Sequence, residues 1–394
     1  MIIGRSEMNI LFWNWKGFGK EDIVECFEKI GHTVNCIDEE GINERFNEEF
    51  DKRFEIEVQK ISYEFVFSIN FRPIISQNCM KYNLKYVSIV YDNPLVSLYS
   101  YTLTNSCNYV FLFDSSQYYE LKNGGIDTVY YMPLAVNIDR IDRMKFDSQK
   151  EKAFLGDISF VGAMYNEKHN LFERFDEKLS ERISGYLDGI MAAQLNVYGE
   201  YFIQGLLTKS VIDEMQKAVP YEPNRDGIET LEYIFSDYFI GRKLAQMERH
   251  NLLDVLSQNF KVNLYTNNKT PELPKINNRG PVDYYDTMPY VFRYSDINLN
   301  ISLRTIKKGI PLRAIDIMGC NGFLLSNYQE DFLRHFNPGE DFVYFESQED
   351  LIKICNYYLK NDKERKQIAD NGYGKIKEFH NYTKRLIEIL EIVI

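Results

Sequence analysis

NRGPVDYYDTMPYVFRYSDINLNISLRTIKKGIPLRAIDIMGCNGFLLSN runs from Asn278 to Asn327 and reads as helix, strand, loop, helix and strand in turn. A turn at Arg279-Gly280-Pro281 precedes a short helix carrying Met288, Val291 and Phe292. A strand follows over Ile297–Leu303, and a second helix is opened by Pro311 and closed near Gly319. Cys320-Asn321-Gly322 then turns the chain into the strand Phe323–Ser326. This order belongs to a parallel α/β sheet. Such sheets bind ligands beyond the carboxyl ends of their strands, in the loops that enter helices. The loop in question holds Arg304, Lys307, Lys308 and, just inside the helix, Arg313, with no acidic residue between them. Basic side chains beside the free N–H groups and positive dipole end of a helix suit a phosphate-bearing ligand. Asp316 lies one turn past Arg313 on the same face. It could accept both hydroxyls of a ribose or simply pair with Arg313. Asn298, Asn300 and Ser302 alternate with Ile297, Leu299 and Ile301. Fully buried parallel strands rarely alternate, so this strand is expected to border a polar cleft or lie at the periphery.

The same grammar extends in both directions. Upstream, strands are expected at Asn9–Trp13, Thr33–Ile37, Phe65–Ile69, Tyr86–Tyr91, Tyr109–Phe113 and Thr128–Met132, separated by helices that include one over residues 42–61. Residues 8–137 therefore read as a Rossmann-like domain. A charged crossing, Pro133–Gly156, leads to a second α/β domain over 150–380, which begins with the strand Ile158–Ala163. Residues 171–259 are mainly helical with apolar stripes, too long for one crossover, and read as an insertion that packs rather than reacts. The turn Pro220–Asn224 divides it. The last helix, 381–394, is expected to pack back on the first domain.

A chain of 394 residues is long enough for two cores. Its net charge of −12 argues against general nucleic-acid binding and makes the basic loop a local exception. No apolar run reaches membrane-spanning length, and the start lacks a signal-peptide core. Six scattered cysteines show no metal-ligand spacing, and five dispersed histidines give no metal site, so none is expected. The cysteines read as reduced residues of a cytoplasmic protein.

Individual residues carry competing readings. Asp92 ends a strand and opens Asp92-Asn93-Pro94, where it could act as a general base or cap a helix. Asp114, ahead of Ser115-Ser116, favours capping. Asn14-Trp15-Lys16-Gly17-Phe18-Gly19 is a ligand loop or a packing turn, without the dinucleotide fingerprint. Gly162 at a strand end lets a ligand approach the backbone, and Lys168 follows it as a basic residue.

Several segments together resemble one family. They are Tyr91-Asp92-Asn93-Pro94, Met132-Pro133-Leu134-Ala135-Val136, Asp157–Gly162, Asn278–Tyr285, Gly309–Gly319 and the tail from Asn371-Gly372 to His380-Asn381-Tyr382. In order and spacing they resemble the group 1-type glycosyltransferases called CgeB-like, after spore maturation proteins. The resemblance implies a GT-B fold, with two Rossmann-like domains facing across a cleft. It implies transfer of a sugar from a nucleotide-sugar, expected to be a UDP-sugar, to a glycan or protein acceptor. No separate cofactor and no metal are implied. The second domain would hold the donor through Gly162, Lys168, Arg304, Lys307, Lys308, Gly309, Arg313 and Asp316. In related enzymes a glutamate holds the ribose where Asp316 stands, and another acid often stands where this chain has Lys308. The first domain would hold the acceptor, with Trp15, Gly17 and Asp114 on that side and Asp92 as base. A nucleotide-sugar epimerase of the same fold and an inactive nucleotide-sugar-binding protein remain alternatives, and the insertion leaves a homodimer contact open.

Overall fold

The computed structural model describes residues 7–167, 171–175 and 177–394. The chain divides into two compact units. The first is formed by the chain up to Arg140, by Pro223–Glu229 and by Phe379–Ile394; the second by Ile141–Glu222 and Thr230–Glu378.

The first unit is built on runs too apolar to face water on either side. In β1 (Asn9–Asn14), residues Ile10, Leu11, Phe12 and Trp13 are all fully buried. β2 (Thr33–Asp38), β3 (Phe65–Ile69), β4 (Lys85–Val90), β5 (Asn108–Leu112) and β6 (Val129–Tyr131) complete a parallel sheet in the order β2-β1-β3-β4-β5-β6. Ile10 stands opposite Val34 on one side and Phe65 on the other. Both faces are covered by helices, as all-parallel sheets require. Trp13 stacks on Phe54 at 5.2 Å between ring centroids and tilts against Phe50 at 4.9 Å. Both phenylalanines come from the helix Glu48–Lys60. That helix starts later than its charge pattern suggests. Asn47 caps it by accepting from the N–H groups of Glu49 and Phe50, and Glu40–Asn43 forms a separate 3₁₀ turn. The helix Tyr382–Val393 packs on the helix Lys20–Lys29 and buries Leu386, Ile389, Leu390 and Val393.

The second unit holds β7 (Gly156–Val161), β8 (Val262–Tyr265), β9 (Asn277–Asn278), β10 (Ser295–Asn300), β11 (Leu324–Asn327) and β12 (Val343–Phe345). They form a second parallel sheet, β12-β11-β10-β7-β8-β9. Ile158 faces Ile297 and Phe160 faces Leu299 across the β7–β10 pair. Between β7 and β8 the chain is helical, with the long helices Glu181–Leu195 and Gly241–Asn259.

Both sheets reverse direction once. Successive strands run outward from β1 to β2 and from β7 to β8 and β9, whereas β3 and β10 start the opposite halves. The switch points therefore lie between β1 and β3 and between β7 and β10. Open α/β sheets bind ligands outside the carboxyl strand ends at such points.

β10 is not peripheral. It is central, and its polar face is a buried hydrogen-bonded seam. Ser159 Oγ donates to Asn298 Oδ1 at 2.8 Å, and Asn298 Nδ2 donates to the Phe292 carbonyl at 2.9 Å. Asn300 Nδ2 donates to Ser326 Oγ at 2.9 Å and to Ser302 Oγ at 3.0 Å. The strand also ends earlier than its sequence suggests, because the Ser302 N–H bonds the Asn327 side chain rather than a ladder carbonyl.

Candidate functional site

At the switch point of the second unit, β7 ends in Gly162 and β10 ends in the loop that enters the helix Leu312–Gly319. Pro311 precedes that helix as its cap residue, and no side chain caps the N-terminus. Helix ends of this kind leave N–H groups for a ligand or water. Arg313 lies across the end of the sheet. Its Nη1 donates to Asn300 Oδ1 at 3.1 Å and more weakly to the Ile301 carbonyl at 3.4 Å. Its guanidinium sits over the Phe160 ring, 4.9 Å from the centroid. A Cβ added to Gly162 would stand 2.8 Å from Arg313 Nη2, so the absence of a side chain there is what admits the guanidinium.

A second arginine shares the place. Arg249, 1% exposed, donates from Nη1 to the Ala163 carbonyl at 2.5 Å and from Nη2 to the Ile301 carbonyl at 2.8 Å. It too lies by Phe160, at 5.3 Å, and by Tyr165, at 4.8 Å. Among the described residues neither arginine has a carboxylate within ion-pair distance. Burial, and then the neighbouring charge of Arg249, push the pKa of Arg313 down to about 9; burial lowers that of Arg249 as well. A buried guanidinium beside a half-buried one, both held by carbonyl and amide oxygens, is a costly arrangement, and an anion would relieve it.

Asp316, 4% exposed, accepts from the Tyr284 hydroxyl at 3.1 Å. A carboxylate has about four acceptor positions, so Tyr284 leaves capacity for other donors. Arg313, Asp316 and Gly162 thus stand around one helix N-terminus, with Gly309 buried in the loop just before it.

Two other basic residues of the loop, Arg304 and Lys308, are paired with acids from elsewhere in the chain. Arg304, 6% exposed, makes a two-pronged pair with Glu248 (Nε to Oε2 and Nη2 to Oε1, both 2.9 Å) and donates to the Val197 and Leu195 carbonyls. Its guanidinium also covers Tyr198 at 3.6 Å. Arg304 is therefore a buried tie to the helical segment rather than an open cation. Lys308 pairs with Glu330 at 2.7 Å, and Lys307 is half-buried between them. Lys168 lies outside the described residues.

Glu248 and Arg249 both come from the helix Gly241–Asn259, whose apolar stripes read as packing alone. A signal for Arg249 existed. It interrupts the buried stripe Ala245, Leu252, Leu253 and Leu256 at i−4, i+3, i+4 and i+7. Beside this helix and the loop after Gly162, a cavity of about 360 Å³ is bordered by Met164, Asn166, Lys243 and His250.

In the first unit the remaining candidates gather along the carboxyl edge of the sheet. Trp15 follows β1, half-buried, with Lys16 Nζ over its ring at 4.8 Å. A Cβ on Gly17 would come within 2.7 Å of Asn14 Oδ1, so this turn is fitted closely to the strand end. Asp92, after β4, is exposed and caps no helix; the next helical turn, Val96–Leu98, has no side-chain cap. One oxygen of Asp92 accepts from Asn70 Nδ2 at 2.7 Å, and Asn70 Oδ1 accepts from the N–H groups of Tyr91 and Asp92. Asp114 does cap a helix, Ser115–Asn123, accepting from the Ser116 N–H at 2.9 Å, and also accepts from Asn93 Nδ2 at 3.2 Å. Asn70, in the left-handed region at φ 61°, and Arg72 beyond it escaped the sequence reading.

Among the described residues no cluster of three His, Cys, Asp or Glu could hold a metal ion, and no helix is long and apolar enough to cross a membrane.

Residues 243–391 match the model of a family described as glycosyl transferase-like, which is less than half of the chain. No curated protein matches. Among solved structures, a glycosyltransferase from Rickettsia africae is 12% identical, with 99% of this chain and 98% of that one covered, at a TM-score of 0.56. Anabaena Alr3699/HepE in complex with UDP and glucose is 9% identical, covering 98% and 99%, at 0.58. Sucrose-phosphate synthase from Thermosynechococcus elongatus is 10% identical, covering 98% of each chain, at 0.53. At such identities the likeness is one of fold. The two parallel six-stranded sheets with their flanking helices are the GT-B architecture.

Proposed function

We propose that this protein is a glycosyltransferase that takes its sugar from a nucleotide-sugar held by the second unit. The observation that carries this reading is the pair Arg313 and Arg249. Arg249 is buried and Arg313 half-buried, and neither has a carboxylate partner among the described residues, at the switch point and beside an uncapped helix N-terminus. The glycosyl transferase-like match over residues 243–391 includes both arginines, and the fold is shared with a protein solved with UDP and glucose. A diphosphate at the helix N-terminus would neutralise Arg313, and its leaving charge would be stabilised by the same groups during transfer. The ribose would then lie one turn further on, over Asp316. A UDP-sugar is the donor this reading takes, and membership of the narrower CgeB-like group rests on the sequence segments alone. The acceptor is a glycan or protein, Asp92 is the base or positions the acceptor hydroxyl, and the cytoplasm is the proposed location, in keeping with six free cysteines.

The test is calorimetry of UDP and its 2′,3′-dideoxy analogue on wild type and Asp316→Ala. Hydrogen bonds to a charged group contribute ~1.5–3 kcal/mol. Asp316→Ala should therefore weaken UDP roughly tenfold to a hundredfold, and the dideoxy analogue by much less. Equal losses for both ligands would leave Asp316 a partner of protein groups only. Because cationic side chains and helix amides stand where the charge would develop, turnover should survive a chelator. Activity abolished by chelation and restored by Mg²⁺ or Mn²⁺ would overturn this.

A further inference from the structure

The first unit carries a cavity of about 430 Å³ that the foregoing reading does not use. It is bordered by the segments that follow β2, β3 and β4, through Asn43, Arg45, Arg72, Val96 and Ser97, with Asn224 also on its wall. These are carboxyl strand ends, where α/β sheets place ligands. Its two arginines differ. Arg45 is committed, because Nη1 pairs with the buried Asp226 at 3.0 Å and Nη2 donates to the Val96 carbonyl at 2.8 Å. Arg72 is not. Its Nη1 donates to Asn43 Oδ1 at 2.8 Å, but Nε is buried without a partner, and no carboxylate lies within ion-pair distance among the described residues. The Nε edge of the guanidinium, which with Nη2 forms the fork that grips an oxyanion side-on, is therefore unpartnered. Burial lowers the Arg72 pKa, while Asp92 acts in the opposite direction from nearby. Arg72 also precedes the helix Pro73–Lys81, whose N-terminus no side chain caps. Glu44 stands exposed among the lining residues.

We propose that this cavity is an oxyanion subsite in which Arg72 grips a phosphate or carboxylate group carried by the acceptor. That the anion belongs to an acceptor rests on the glycosyl-transfer reading; the anion site itself does not. An acceptor anchored there would lie on the same sheet edge as Asp92, so recognition and chemistry would be served by neighbouring loops. The subsite distinguishes an anionic acceptor from a neutral sugar by leaving the buried Nε of Arg72 unpaired when the anion is missing.

The experiment uses the full chain, saturated with UDP to occupy the second unit, and follows arginine Nε–H resonances by NMR. The probes are methyl phosphate, acetate and, as a neutral control, methanol. The resonance missing from Arg72→Lys should shift with methyl phosphate or with acetate, whichever group the site is built for, and not with methanol. Asn43→Asp, an isosteric change at an exposed residue, places a carboxylate on Arg72 and should weaken the bound anion ~tenfold or more without altering UDP affinity. A resonance unmoved by either anion, or equal anion affinity in Asn43→Asp and wild type, would overturn the subsite. Failure of UDP to bind would instead count against the donor reading and leave the anion titration to be read without it.

Discussion

At the scale of single residues, the arrangement around Arg313 depends on what is missing as much as on what is present. Gly162→Ala would drive a methyl group into the guanidinium, 2.8 Å away, and dislodge it from Phe160 and Asn300. UDP affinity should fall ~tenfold, and because Gly162 holds a backbone conformation, φ 158°, that a side chain rarely adopts, the melting temperature should fall as well; calorimetry and a melting curve read the two effects. On the proposed donor reading, the charge of Arg313 should also give UDP binding a pH signature. In the free protein its pKa is about 9, and a bound diphosphate would raise it towards its ordinary value. Below about pH 9 both states hold the proton, so this group leaves the affinity flat. Above it the free protein has lost the proton and binding must take one up, so affinity falls with rising pH. UDP titrations from neutral to alkaline pH, in buffers of different ionisation enthalpy, would show proton uptake only in the alkaline arm. Asp92, exposed and held by a single side-chain bond from Asn70, should behave differently. Asp92→Asn should lower kcat by ~10²–10⁴-fold with UDP affinity unchanged, and an unchanged kcat would remove it from the chemistry.

At the scale of elements, the polar face of β10 shows how a central strand can carry asparagine without facing water. Asn300 bridges Ser302, Ser326 and Arg313, so a single side chain links β11 and the loop after β10 to the site. Asn300→Leu would remove three hydrogen bonds, at a cost of about 3 kcal/mol by denaturant unfolding, and would loosen Arg313 and so weaken UDP. The two acid–base ties of the loop 304–313 should separate by burial. Glu248→Gln breaks the enclosed pair with Arg304 and should cost ~3–5 kcal/mol. Glu330→Ala breaks the part-exposed pair with Lys308 and should cost less than ~1 kcal/mol. Equal costs would mean that the Arg304–Glu248 pair is not the anchor of the helical segment that its burial implies.

At the scale of the whole molecule, neither unit is one continuous stretch of chain. The strip Pro223–Glu229 lies within the helical segment in sequence yet belongs to the first unit. There Asp226 takes Arg45 and Ser100 as partners, its carbonyl accepts from the Tyr101 N–H, and the Ile228 N–H bonds the Tyr99 carbonyl. The C-terminal helix likewise completes the first unit. Removing residues 382–394 would expose the faces buried by Leu386, Ile389, Leu390 and Val393, each contributing ~1.5–3 kcal/mol. That sum rivals the whole stability of a typical domain. The truncated chain should therefore lose the first unit to limited proteolysis while the second still binds UDP.

What the sequence determined by itself was the architecture and the place of the candidate site within it. Apolar runs of strand length, alternating with amphipathic helices, have few solutions other than parallel sheets covered on both faces. The loop before Pro311 then falls at a strand end by topology alone. The charge of that loop was decided only by the tertiary structure. Local sequence shows Arg304, Lys307 and Lys308 without acids, but Glu248 and Glu330 arrive from 56 and 22 positions away and occupy two of them. Arg249 arrives from 64 positions before Arg313 to set a buried cation beside a half-buried one. Periodicity reports which face of an element is buried. It does not report which distant side chain shares that burial, because pairing in a folded chain is set by spatial neighbours whose separation in sequence is arbitrary.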